Sequence, residues 1–133
     1  MTKIFLDTCV VIYLIEKHPA YANRVETMMN SVQSGVFCFS PLVRMECLVM
    51  PLRTKDVTLQ KLYTSFFKSQ RSLTIASAVY DQAAQLRADF SSLKTPDAIH
   101  LATAKFYGCD EFWTNDNRLH KVSPKLTKNI LTT

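Results

Sequence analysis

Five short apolar runs along this chain are separated by segments of helical periodicity, and that alternation restricts the fold more than any other feature. The spacing predicts strands at residues 3–6, 36–39, 73–75, 111–114 and 129–132. Helices are predicted at about 9–17 and 20–34, then from Ser40-Pro41 onward, then at 56–69. Two more follow, one carrying Val79, Ala83, Leu86 and Phe90, the other opening at Thr95-Pro96 with Ile99, Ala102, Thr103 and Phe106 spaced for burial. A short turn or helix is expected after Asp116. Strands joined through helices need crossover connections, which build a mostly parallel sheet with both faces covered. The expected fold is therefore α/β, a three-layer α/β/α sandwich around a mostly parallel central sheet.

Local residue choices support this reading. Ser40 can cap the third helix with Pro41 at its first position. Val25, Met28, Met29 and Val32 give the second helix one apolar face, and Leu59, Leu62, Tyr63, Phe66 and Phe67 do so for the fourth. The Met28-Met29 and Phe66-Phe67 pairs are most economically core or dimer-interface residues. Gly35 and Gly108, the only two glycines, each stand between a helical run and a strand, as helix C′ caps do. At 133 residues, without repeats or a linker, residues 1–133 are expected to form a single domain. The apolar run Cys9 to Ile15 is far shorter than the roughly 20 residues of a membrane span, and Asp7 interrupts any leader-like segment, so a cytoplasmic location is expected. The four cysteines lack CxxC or zinc-like spacing and read as small buried hydrophobes.

Four acids stand at or near the ends of these elements. Asp7 follows Ile4-Phe5-Leu6 and suits either an N-cap or a site at the sheet rim. Asp97 follows Thr95-Pro96 and is expected at N2 of its helix, where the dipole favours an anion. Glu46 lies in the otherwise apolar segment Leu42 to Met50 and needs a partner there, either an arginine such as Arg44 or a metal. Asp116 sits in the turn Thr114-Asn115-Asp116-Asn117, which turn chemistry alone would explain. Ligands of parallel sheets bind beyond the carboxyl ends of the strands, and Asp7 and Asp116 fall there. Carboxylates gathered at one rim repel each other unless a cation neutralises them. The formal charge is +5, from 16 basic and 11 acidic residues, so an acidic pit would lie in a cationic body, a polarity suited to a polyanion.

Ile4-Phe5-Leu6-Asp7-Thr8 resembles the opening of a PIN domain. Leu86-Arg87-Ala88 and the stretch Leu93 to Ala104, with Thr95-Pro96-Asp97-Ala98-Ile99-His100, look like that family's most distinctive segment. Phe112-Trp113-Thr114-Asn115-Asp116 resembles its final acidic motif. The resemblance spans essentially the whole chain, in the family's order, and is nearest to VapC-type toxins, small PIN ribonucleases of toxin–antitoxin pairs. The segment around Glu46 departs from it, at Pro41 and from Cys47 to Arg53.

The resemblance implies a PIN-like sandwich and a ribonuclease using Mg²⁺ or Mn²⁺ held by Asp7, Glu46, Asp97 and Asp116. Thr8, Thr114 and Asn115 match polar positions that support metal-bound water or substrate. It also implies an RNA substrate, a separately encoded antitoxin and a homodimer. Asp7 and Asp97 are the expected primary ligands, Asp116 serving a second metal or an outer water and Glu46 orienting the attacking water, the last two roles being exchangeable. In-line attack would leave a 5′-phosphate and a 3′-hydroxyl. Arg44, Lys94 and Arg118 are candidates to steer phosphates, although each reads equally as a solvated surface charge. His100 lies one turn beyond Asp97 and could reach the site, but is expected rather to be a buried or hydrogen-bonded helix residue, and His18 and His120 surface-turn residues.

Two other enzyme-like classes are excluded by residues. A dehalogenase-like phosphatase needs a second Asp two positions after the first, where this chain has Cys9. A receiver domain needs adjacent acids after its first strand, where Thr8 and Cys9 follow Asp7. The non-enzymatic alternative is a PIN-like nucleic-acid-binding or scaffold module without turnover.

Overall fold

The computed structural model describes residues 1–132. Its elements run β1 (Thr2–Leu6), α1 (Thr8–Ile15), α2 (Ala22–Ser31), β2 (Gly35–Phe39), α3 (Pro41–Arg53), α4 (Val57–Ser69) and β3 (Arg71–Ser72). They continue with α5 (Ser77–Asp89), α6 (Thr95–Phe106), β4 (Glu111–Thr114), α7 (Asn117–Val122) and β5 (Thr127–Asn129). The strands form one sheet in the order β3-β2-β1-β4-β5, every pairing parallel.

β1 lies at the centre, and Ile4, Phe5 and Leu6 are all buried because both faces of the sheet are covered. Phe5 stands opposite Cys38 and Phe112, stacks on Phe112 with ring centroids 5.3 Å apart, and looks toward His100 of α6. The alternate residues point the other way, where Phe39 meets Phe67 of α4 at 4.5 Å and Phe37 meets Trp113 at 5.8 Å. α1 packs on α2 and α3, α3 on α4, and α5 on α6. From β1 the chain steps outward through β2 to β3, then returns to β1's other side with β4 and β5. That reversal leaves a crevice at the carboxyl ends of β1 and β4, the place where open parallel sheets bind ligands.

Several boundaries differ from the sequence expectation, each for a local reason. β3 is Arg71–Ser72 rather than 73–75; Leu73 still donates its N–H to the Phe39 carbonyl at 2.7 Å, but the pairing ends there. β5 is Thr127–Asn129 rather than 129–132, and Ile130 is buried just beyond it. α2 begins only at Ala22, because the His18 Nδ1 accepts the N–H groups of Ala20 and Tyr21 and holds a turn. His18 also stacks on Tyr21, so it organises this turn.

Gly108 has φ +66° and closes α6 as expected, whereas Gly35 is the first residue of β2 and caps nothing. Gly35 answers a packing demand, since a Cβ there would come within 2.8 Å of Val32 Cγ1. Met28, Met29 and Phe66 pack against the core and Phe67 lies in it. Leu62, Phe90 and Phe106, expected inside, are exposed. α3 runs through Pro51 without a break, although the ring removes one helix hydrogen bond.

Candidate active site

Asp7 is both rim residue and cap. It ends β1 in extended geometry and caps α1, its Oδ1 accepting the Thr8 N–H at 2.8 Å. Its Oδ2 accepts the Thr114 hydroxyl at 2.7 Å, and its own N–H reaches the Trp113 carbonyl at 3.0 Å. The ends of the two central strands are thus tied together through one carboxylate that is only 8% exposed. Burial pushes the Asp7 carboxyl above the usual carboxylate range, despite the opposing pull of His100, Thr114 and Thr8.

Glu46 projects from α3 into the same crevice. Its Oε1 accepts the Thr8 hydroxyl at 2.6 Å and lies 2.7 Å from His100 Nε2. Burial would raise this carboxyl, but the bonds from His100 and Thr8 and the nearby imidazole together hold it below its ordinary value. Its protein partners are therefore a histidine and a threonine rather than the arginine that was one of the two expected partners. Arg44 instead lies over the Phe67 ring, 5.6 Å from its centroid, and pairs with none of the four acids.

Asp97 occupies N3 of α6 rather than N2, because Lys94 is the N-cap and Thr95 the first helical residue. Burial raises its carboxyl, and Asp7 and Asp116 raise it further, while His100 and Arg118 pull the other way. Asp116 caps α7, its Oδ1 accepting the Arg118 N–H at 2.9 Å. The Arg118 guanidinium then grips both carboxylate oxygens at 2.7–3.1 Å and holds the group below the usual range. Lys94 adds to that effect from the rim. Asn115 turns its amide to the Tyr13 hydroxyl at 2.8 Å.

The sequence-derived site residues are thus brought to one rim in two groups. Asp7, Glu46, Thr8 and Thr114 are joined by direct hydrogen bonds, to which Asp116 is linked by its N–H on the Thr114 hydroxyl, whereas Asp97 couples to Asp7 and Asp116 through space. Among the described residues, no three His, Cys, Asp or Glu side chains converge closely enough to hold a metal as they stand. The donor chemistry nonetheless fits a hard divalent cation. Two carboxyls are raised by burial and by neighbouring acids, Asp7 by Glu46 and Asp97 by Asp7 and Asp116, a repulsion that a cation would relieve. The nearby soft donor Cys9 has its thiol pushed up to about 12 by burial and by Asp7, so it stays protonated.

His100 is the residue the sequence undervalued. It is buried as expected, yet it also reaches Glu46 directly and lies 3.9 Å from Asp7 Oδ1. Its Nδ1 is buried without a partner, a cost on the order of 1–3 kcal/mol. The available signal was its place one turn beyond Asp97 on a helix whose neighbours Ala98, Leu101, Ala102 and Ala104 are apolar.

A family model described as the PIN domain matches residues 4–124. The chain belongs to the PIN-domain family. PIN domains are generally nucleases and typically use divalent metal ions. This PIN domain is similar in fold to VapBC2 from Rickettsia felis bound to a promoter DNA fragment, with TM-score 0.78, 16% identity, and 96% of this chain and 98% of that one covered. It is similar to VapC20 of Mycobacterium tuberculosis, a toxin that cleaves the sarcin–ricin loop, with TM-score 0.76, 17% identity and coverage of 90% and 95%. VapBC-1 from nontypeable Haemophilus influenzae matches with TM-score 0.79, 10% identity and coverage of 98% and 100%. Comparison with curated protein sequences finds no match. No helix among the described residues is long and apolar enough to cross a membrane.

Proposed function

We propose that this PIN domain is a Mg²⁺- or Mn²⁺-dependent endoribonuclease, a toxin held in check by a separate antitoxin protein. The observation that carries the reading is the buried Asp7 carboxylate, fixed by Thr8 and Thr114 at the crevice between β1 and β4 with Glu46 and Asp97 close enough to repel it. Asp7 and Asp97 would hold the cation, with Asp116 and Glu46 completing its surroundings. A bound divalent cation would activate water and offset charge developing on the phosphodiester.

The chain's own groups have distinct tasks. Thr8 and Thr114 orient carboxylates whose repulsion would otherwise turn them outward. Glu46, held as the ionised carboxylate, can accept a proton from an attacking water. Arg118 and Lys94 bring positive charge to the rim where the RNA backbone would pass. Arg118 has to release Asp116 before that carboxylate can serve a cation, and an incoming phosphate offers the guanidinium an alternative bidentate partner. The cationic body favours RNA over a neutral substrate.

The proposed partners follow the same logic. On α3, Met45, Val49 and Leu52 fall at i, i+4 and i+7 and are exposed, an apolar stripe suited to a homodimer contact. The matched VapBC proteins from Rickettsia felis and Haemophilus influenzae are toxin–antitoxin complexes, which supports restraint in trans for this chain.

Incubation of the purified protein with RNA and Mn²⁺, with and without chelator and beside Asp7→Asn, tests the activity. Metal-dependent cleavage lost in Asp7→Asn is the expected result. Cleavage that survives the chelator, or persists in Asp7→Asn, would rule out the proposed chemistry. Absence of cleavage with RNA still bound favours the second reading, a binding module, to which the Arg118 grip on Asp116 lends support.

A further inference from the structure

We propose that His100 is a positioning residue, whose Nε2–H sets the orientation of Glu46 for the reaction proposed above, on which this reading rests. An ionised carboxylate only accepts, so the 2.7 Å contact requires the proton on His100 Nε2. The Thr8 hydroxyl donates to the same oxygen at 2.6 Å. Glu46 Oε1 is therefore held from two sides, by α1 and by α6, while Oε2 takes no hydrogen bond among the described residues. The carboxylate thus presents one fixed and one open oxygen at the crevice, the arrangement a group needs if it is to face a cation or a water.

The imidazole can do this because it cannot move. Its side chain is 2% exposed and packs against Phe5, ring centroids 6.0 Å apart, in the layer between β1 and α6. No hydrogen bond orients its other nitrogen, which is buried without a partner. An apolar side chain of similar shape would fill the same space without an orphaned polar atom. What compensates a histidine here lies at Nε2 alone, and Nε2 looks only at the site: Glu46 at 2.7 Å and Asp7 Oδ1 at 3.9 Å. α6 also carries Asp97 one turn earlier, so one rigid helix supplies an expected ligand and sets the angle of another on α3.

The test compares the full chain with His100→Gln, His100→Leu and Asp7→Asn by Mn²⁺ calorimetry, thermal melting, and kcat and KM on a short RNA. The amide nitrogen of Gln can stand where Nε2 stood; Leu supplies bulk without a donor. His100→Leu is expected to weaken Mn²⁺ binding and lower kcat by about tenfold or more, as outer-shell losses do. Its KM should change less than its kcat, and its melting temperature should hold or rise. His100→Gln should keep both Mn²⁺ affinity and kcat within about threefold of the parent. Parent-like affinity and kcat in His100→Leu would overturn the role, and so would equal impairment of His100→Gln and His100→Leu. Should His100→Leu fail to fold, His100→Phe takes its place under the same criteria. If Asp7→Asn cleaves RNA as well as the parent, the Asp7-centred metal chemistry on which this reading rests fails. If Asp7→Asn is inactive while His100→Leu matches the parent, only the positioning role fails.

Discussion

Replacing Thr114 by valine removes one oxygen from the centre of the site and almost no volume. Thr114 is fully buried at the end of β4, its hydroxyl donating to Asp7 Oδ2 at 2.7 Å and accepting the Asp116 N–H at 3.3 Å. Loss of a hydrogen bond to a buried charged acceptor costs about 1.5–3 kcal/mol, and the longer backbone bond adds about 0.5 kcal/mol. A net loss of about 2–3 kcal/mol is therefore expected at pH 7. With a urea m-value of about 2 kcal/mol per molar, the unfolding midpoint should fall by about 1 M with m unchanged.

The pH dependence separates this cause from a packing defect. Burial already raises the Asp7 carboxyl, and Thr114 is one of the groups opposing that rise. Thr114→Val raises it further, so the variant's deficit is largest where Asp7 is charged. The deficit should shrink as the pH falls through Asp7's raised pKa and the carboxyl becomes neutral. A Thr114→Val protein within 0.5 kcal/mol of the parent at pH 7, or one with the same deficit at neutral and acidic pH, would refute this reasoning.

Other expectations are checked more briefly. Asp7→Asn keeps the cap but removes a charge that burial disfavours, so it should raise the urea midpoint at pH 7. Because the raised pKa makes the native carboxyl costly only when ionised, that advantage should vanish as the pH falls through it. Gly108→Ala meets open space at φ +66°, so denaturation should show only the left-handed backbone penalty of about 1–2 kcal/mol. Gly35→Ala places its Cβ 2.8 Å from Val32 Cγ1 and should lose about 1–3 kcal/mol by overpacking. Tyr63→Phe gives up a bond to the exposed Glu16, leaving no buried orphan, and should cost about 1 kcal/mol, against about 3–5 kcal/mol for Tyr63→Ala.

The parallel α/β architecture was legible because β1 and β4 are apolar on both faces and are followed at once by capped helices, Asp7 and Asp116 serving as caps. What sequence periodicity could not supply was the stopping point of weak edge strands. β3 pairs on one side through two residues, so nothing in Leu73-Thr74-Ile75 marks its end. Gly35 looked like a cap because sequence shows what glycine permits and not what crowds it; Val32 decided the matter.

At the site, Asp7, Asp97 and Asp116 stood out as carboxylates at element ends, and Glu46 as an acid in an otherwise apolar helix. Their individual bonds did not, since they depend on which helix lies across the crevice. Glu46 finds His100 only because α3 packs on α6, fifty-four residues away in sequence. Asp116 is neutralised by Arg118 two residues on, a local pairing that sequence left open as one use of that arginine among others.

The central claim is that the carboxylates around Asp7 form a divalent-cation site. Titration of Mn²⁺ into the metal-free protein, read by the loss of free-ion electron paramagnetic resonance, tests it most directly. Saturable binding in the parent that is abolished in Asp7→Asn is the expected result. No saturable binding, or binding unchanged in Asp7→Asn, would contradict the account.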